Sequence, residues 1–323
     1  MPRLKVLTWH IHGSYLYYLS HAPVELYVLS KPGRPPGYLG RHGHFPWGAN
    51  VHDMPVSDLP RQSFDAVLFQ SRDHYEKDQY EILTPAQQRL PKIYLEHDPP
   101  RESPFAQPHW VDDPATLLVH VTHFNALMWN SRRTPVCVIP HGVTVPPDVR
   151  HTGELARGIV VINHLARRGR RLGEDVYARV RRDVPLDLVG MGAEESPGGI
   201  GEIRHDGLCA FASRYRFFFN PIRYTSLGLA VCEAMMLGMP VVGLATTEMS
   251  TTVENGVSGY VHNDLDWLTE RMAGLLADPA EAHRLGEGAR RAARERFAIE
   301  RFARDWRAAF EAVAGRPVAR ARS

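Results

Sequence analysis

Short apolar runs, each closed by Gly, Pro or a polar residue and followed by enough chain for a helix, recur twice over along this sequence. In the first half they lie at residues 4–8, 24–29, 66–70, 92–96, 117–121 and 136–139, with a helix opening at 15–20. Runs of this kind predict parallel strands joined by crossover helices. Residues 32–47 break the pattern with a Gly-, Pro- and His-rich loop, long enough to be functional. Residues 141–158 then carry Gly142, Pro146, Pro147 and Gly153, the composition of an exposed linker crossed by few contacts. Beyond it the alternation restarts, with strands at 158–162, 186–189, 216–219, 241–242 and 259–261 and helices at 174–182 and 229–237. Two helices close the chain, at 265–276 and from about 281 to 313, the second broken near Phe297. Phe302, Trp306, Phe310 and Val313 form a stripe that must pack on the rest of the protein. The basic tail after Gly315 is expected to fray. The expected organisation is two α/β domains, 1–150 and 151–323, a natural division for 323 residues.

Composition removes several classes. With 44% hydrophobic and 23% charged residues, two packed cores are feasible and wholesale disorder is not expected. A net charge of +2 argues against a dedicated nucleic-acid binder. The charge is uneven, however: Arg167, Arg168, Arg170 and Arg171 cluster mid-chain, and Arg290, Arg291, Arg294, Arg296, Arg301 and Arg304 near the end. A local anion site is compatible with this. The three cysteines, Cys137, Cys209 and Cys232, form no CxxC pair, so neither a disulfide framework nor a zinc site is indicated. Cys137 and Cys232 sit in apolar runs and read as small buried hydrophobes. Seventeen histidines are present, but none in HxxxH or HExxH spacing, so no metal is expected. No leader-like segment precedes Leu4 and no run of about 18 apolar residues occurs, which makes the cytoplasm the expected compartment.

The chemistry concentrates in residues 220–261. A strand ends at Asn220-Pro221, a polar loop with Thr225 and Ser226 follows, and Gly228 opens a helix. The free N–H groups and positive dipole end of that helix would face the loop and suit an anion. Glu233, further into the helix, can accept hydrogen bonds from a diol. Glu233-Ala234-Met235, Gly238-Met239-Pro240-Val241-Val242, Glu254-Asn255-Gly256-Val257-Ser258-Gly259, Pro140-His141-Gly142-Val143, and the final Arg296-Phe297 and Trp306 run occur together. In this order and spacing the pattern resembles the retaining GT-B glycosyltransferases of family 4. The resemblance covers most of the second half. It implies two Rossmann-like domains facing a central cleft, the first for the acceptor and the second, with the C-terminal helices, for a nucleotide-sugar donor.

By the same resemblance, Glu233 binds the nucleotide ribose, and Thr225, Ser226, Leu227 and Gly228 approach the sugar and diphosphate. Arg168 or Arg171 stands in for the family lysine that grips the diphosphate, a role guanidinium forks suit. His164 stands where the family has arginine, and Gly190, in the turn Gly190-Met191-Gly192, lies where the nucleotide passes. In the first half, Gly13 in the His12-Gly13-Ser14 loop faces donor phosphate and acceptor, and His97 in Glu96-His97-Asp98 approaches the donor sugar. His120 and His123 flank another strand end and carry less weight. His97, Arg168 and Arg171 are the implied catalytic residues.

The sequence departs from the family pattern most at Thr225, eight residues before Glu233, where the paired-glutamate motif has its other carboxylate. The resemblance implies metal-independent, cofactor-free transfer of a sugar from a nucleoside diphosphate to an acceptor hydroxyl, with retention, in polysaccharide or glycoconjugate synthesis. A carbohydrate or lipid-linked acceptor is implied, with weak association at the inner membrane face compatible with it. Two other readings stay open: a non-catalytic nucleotide-sugar-binding protein or partner subunit, encouraged by Thr225 and His164, and an epimerase or phosphorylase of the same architecture.

Overall fold

The computed structural model describes residues 2–43 and 45–315. The basic tail beyond Gly315 lies outside the described residues. The chain divides into two compact units: residues up to Gly142 together with those from Ile299 onward, and Val143–Ala298.

The first unit is built on β1 (Lys5–Thr8), β2 (Glu25–Ser30), β3 (Val51–Pro55), β4 (Ala66–Phe69), β5 (Lys92–Glu96), β6 (Thr116–His120) and β7 (Val136–Val138). They form one sheet in the order β3-β2-β1-β4-β5-β6-β7, parallel throughout. The second unit carries β8 (Leu155–Val161), β9 (Leu186–Val189), β10 (Gly199–Gly201), β11 (Tyr215–Asn220), β12 (Val241–Gly243) and β13 (Gly259–Val261). Its order, β10-β9-β8-β11-β12-β13, is again parallel and is the doubly wound order of dinucleotide-binding folds. Helices follow as α1 (Gly13–Leu19), α2 (Gln79–Ile82), α3 (Pro85–Gln88), α4 (His123–Met128), α5 (Leu165–Leu172), α6 (Glu174–Val180), α7 (His205–Ala212), α8 (Leu229–Leu237), α9 (Met249–Thr252), α10 (Leu265–Ala277), α11 (Pro279–Arg296) and α12 (Ile299–Val313). In each sheet the strand order reverses at one point, β1/β4 and β8/β11, and the carboxyl ends there are where such folds take ligands.

The central strands explain themselves. Every residue of β4 (AVLF) and β11 (YRFFFN) is buried, as parallel strands covered on both faces must be. The one charged residue in these two strands is Arg216 in β11, whose guanidinium donates to the Gly153, Leu275 and Leu276 carbonyls at 2.7, 3.2 and 3.0 Å. It thereby satisfies the last carbonyls of α10, which no backbone N–H can reach. Asp264 and Asp278 cap α10 and α11 by accepting their first free N–H groups, with Pro279 opening α11.

Three features differ from the sequence expectation. Residues 51–55 (VHDMP) form an edge strand that their mixed polarity and terminal Pro concealed. The arginine cluster at 167–171, for which no helix was expected, lies on α5, kinked at Gly169, which takes φ +54 and ψ −142. And α12 packs with the first unit, not the second: Trp306 Nε1 donates to Tyr15 Oη at 3.1 Å, and Arg301 donates to the Pro140 and His141 carbonyls at 2.7 and 2.6 Å. A β-carbon on Gly142 would meet Phe302 Cβ at 2.1 Å, which accounts for the glycine in Pro140-His141-Gly142. Trp306→Phe should keep the ring packing but remove the donor to Tyr15. Chemical denaturation should then show a loss of about 1–2 kcal/mol. Cys232 and Cys209 are buried, while Cys137, on the terminal strand of its sheet, is only half-buried.

Candidate functional site

In the second unit the turn after β8 and the turn after β9 are laced together. Asn163 Oδ1 accepts the Met191 N–H at 2.9 Å, and the His164 N–H donates to the Met191 carbonyl at 2.6 Å. The two backbones come so close that side chains are excluded. Gly190 has φ +140, and a β-carbon there would stand 2.6 Å from the Ile162 carbonyl oxygen. Gly192 has φ +68, with the His164 Nδ1 2.7 Å from its would-be β-carbon. Gly190→Ala should therefore cost about 2–3 kcal/mol and displace the turn beside His164. Thermal unfolding checks the first effect and nucleotide titration the second.

His164 itself takes the left-handed conformation, φ 52 and ψ 45, as the residue before α5. Arg168 and Arg171 lie on either side of the kink, both half-buried. The loop after β11 is docked on the end of this helix: the Arg223 and Tyr224 N–H groups donate to the Arg171 carbonyl at 3.1 and 3.2 Å. Arg223 fastens the same contact from its side chain, reaching the Arg170 carbonyl at 2.8 Å and Asp175 at 2.8 Å. Arg223 holds the Asp175 carboxyl below its ordinary range. Thus α5, with His164, Arg168 and Arg171, and the loop with Thr225, Ser226, Leu227 and Gly228 are brought together at the carboxyl ends of β8 and β11. Thr225, Ser226 and Gly228 are half-exposed and Leu227 is buried. Gly228 is extended, and no side chain caps α8.

Glu233 lies on the second turn of α8, 6% exposed in a helix that is otherwise apolar. It lines a small cavity with Val161 and Phe218 from β8 and β11 and with Leu208 and Cys209 from α7. The Cys209 thiol is pushed up to about 12, by burial first and by the Glu233 carboxylate second.

In the first unit, Gly13 starts α1, and a β-carbon on it would meet the Phe45 ring at 2.7 Å. His97 follows β5 and packs edge-on against His12 and Tyr15, with centroids 4.2 and 4.8 Å apart. It lines a cavity of about 330 Å³ with Gln70, Glu96, Arg72, Asp98 and Trp110. Burial pushes the Glu96 carboxyl up to about 8. Its Oε1 accepts the Asp98 N–H at 2.9 Å, and its Oε2 lies 3.3 Å from His109 Nε2. His120 is fully buried beside this cluster in sequence register with Glu96, whereas His123 is exposed. Sequence reasoning missed Gln70, Asn163 and Arg223. Each is a polar residue at or just past the carboxyl end of an apolar strand, and that position was the available signal.

Among the described residues no group of His, Cys, Asp and Glu is arranged to hold a metal ion, and no helix is long and apolar enough to cross a membrane.

Residues 171–278 match the family model described as glycosyl transferases group 1. No curated protein matches the chain by sequence. Among solved structures the chain is similar to a sucrose-phosphate synthase from Thermosynechococcus elongatus, at 16% identity over 97% of this chain and 100% of that one, TM-score 0.66. It is similar to Anabaena HepE, solved with UDP and glucose, at 13% identity over 96% and 100%, TM-score 0.67. A glycosyltransferase from Rickettsia africae gives 11% identity over 97% and 99%, TM-score 0.66. At such identities the likeness establishes the fold alone: two Rossmann-like parallel-sheet units in the GT-B arrangement of elements.

Proposed function

We propose that this protein transfers a sugar from a nucleoside diphosphate to an acceptor hydroxyl with retention at the anomeric carbon. The observation that carries the proposal is the buried Glu233 carboxylate behind the Thr225–Gly228 loop, within the segment that matches glycosyl transferases group 1. In this reading Glu233 accepts the ribose diol. Arg168, Arg171 and the uncapped start of α8 stabilise charge on the leaving diphosphate, with His164 and Gly190 at the nucleotide. Gly13 and His97 serve the sugar and acceptor from the first unit. The transfer uses no metal or cofactor in this proposal. A carbohydrate or lipid-linked acceptor and a role in polysaccharide or glycoconjugate synthesis, in the cytoplasm or at its membrane face, complete it. UDP is the first nucleotide to try, because HepE binds UDP and UDP-glucose.

The test is a thermal-shift screen of UDP-, GDP- and ADP-sugars, followed by NMR of the anomeric product formed with an acceptor. Stabilisation by one nucleotide series and an axial-to-axial or equatorial-to-equatorial product support the proposal. An inverted product ends the retaining assignment.

Thr225 favours a second reading. Its half-exposed hydroxyl carries no charge where a carboxylate would address the donor sugar. A nucleotide-sugar binder without transferase activity would be stabilised by the same ligands but release no nucleotide when acceptors are added.

A further inference from the structure

We propose that Gln70 is a positioning residue that holds His97 in the tautomer protonated at Nε2, leaving Nδ1 as the ring's acceptor toward a substrate hydroxyl. The functional part of this inference rests on the transferase reading; the tautomer itself does not.

The direction of the hydrogen-bond chain is set at its far end, where it is not negotiable. β4 and β5 are neighbouring parallel strands, so the residues just past their ends, Gln70 and His97, come side by side. Backbone carbonyls can only accept. Thr8 Oγ1 donates to the Leu68 carbonyl at 3.0 Å, and so faces Gln70 as an acceptor. The Gln70 amide nitrogen lies 3.4 Å from that hydroxyl and 3.5 Å from the Trp9 carbonyl, two acceptors. This sets the orientation of the amide and turns Oε1 toward His97, 3.0 Å from Nε2. An amide oxygen cannot donate, so the proton must lie on Nε2.

The surroundings of the ring favour its neutral form. His12 and Tyr15 flank it at 4.2 and 4.8 Å, and Asn125 on α4 donates to its backbone carbonyl at 3.2 Å. Burial, then His12, then His141 hold the His97 imidazolium well below its ordinary range. Of the two carboxyls that flank it in sequence, Glu96 has its oxygens directed to the Asp98 N–H and His109, and Asp98 pairs with Arg101. His97 therefore meets the cavity as a neutral acceptor and not as an acid or a cation. Gln70, 7% exposed, lines the same cavity and has the geometry to keep it so.

The experiment is long-range proton–nitrogen NMR of the histidine side chains in the full-length protein, with His97→Gln for assignment. Spectra are taken from about pH 5.5 to 8, the span in which a free imidazole would titrate. The expected wild-type signal is a neutral Nε2–H ring throughout. Gln70→Leu should move the proton partly to Nδ1, and Gln70→Glu should make the ring titrate within the window. The glutamate variant, nearly isosteric, tests the idea if the leucine variant does not fold. An Nδ1–H ring in the wild type, or unchanged spectra in both variants, would overturn the proposal. Turnover of UDP-glucose should fall in kcat by about tenfold in Gln70→Leu, the worth of one directing hydrogen bond, with KM little changed. If the spectra behave as stated and UDP-glucose is not turned over, the tautomer assignment stands and the donor reading is what fails.

Discussion

Below about pH 6 the first unit should lose stability steeply, because its fold binds a set of histidines in their neutral form. His10, His74, His109 and His120 are buried, and His97 is enclosed by other rings. Burial is the leading cause in each case: it lowers His10, His74 and His97, and brings His109 and His120 down to about 3. In the unfolded chain these side chains take up a proton near 6.5. Below that pH the unfolded state binds more protons than the folded one, so stability falls with pH until the folded groups themselves titrate. Each fully buried histidine adds a slope approaching about 1.4 kcal/mol per pH unit. His109 and His120 alone then remove roughly 2 kcal/mol from pH 6 to 5, a large part of a typical domain's margin. Glu96 acts in the opposite sense. Its folded carboxyl keeps its proton up to about 8, while the unfolded one ionises above 4.5, so stability contributed by Glu96 rises as pH falls through that window. It offsets about one histidine and leaves the others. Urea unfolding followed by near-ultraviolet circular dichroism at pH 7.5, 6 and 5 checks this, with His120→Leu expected to flatten the slope. Equal midpoints at the three values would show that the histidines titrate alike in both states.

Glu233→Ala should weaken nucleotide binding by about 100-fold without unfolding the protein. Two charge-assisted hydrogen bonds to a diol account for a loss of that size. The stability expectation follows from the surroundings. Glu233 is 6% exposed among Val161, Phe218, Leu208 and Cys209. Alanine is the best helix former and leaves the α8 backbone intact, so the free variant should still fold. Isothermal titration with UDP and a melting curve without it separate the two effects. A variant that binds UDP normally removes Glu233 from the site. One that fails to fold assigns the carboxylate a structural role in α8.

Much of this was legible in the residues themselves. Helix α8 falls on the predicted 229–237, because Gly228 starts it, Gly238 with φ +90 ends it, and nothing between disfavours a helix. The break near Phe297 appears between α11 and α12, and the turns after β8, β9 and β11 fall where apolar runs give way to Gly and polar residues. Gly190-Met191-Gly192 is by its letters only a Gly-x-Gly turn, a weak signal. The fold puts the Ile162 carbonyl where a side chain on Gly190 would be.

What the sequence by itself determined was local: which segments are strands or helices, where the chain turns, and which short motif could bind an anion. Those depend on residues within a few positions of one another. The tertiary structure alone decided that α12 leaves the half it follows and places Trp306 on Tyr15, 291 residues away in sequence. It alone decided that edge strand β3 pairs with β2, and that Gln70 and His97, separated by 27 residues, share one hydrogen bond. It alone took His10, His74, His109 and His120 out of water. Burial and pairing are properties of neighbours brought from elsewhere in the chain, and a titrating ring has the same letter in the sequence whether solvent or a tyrosine surrounds it.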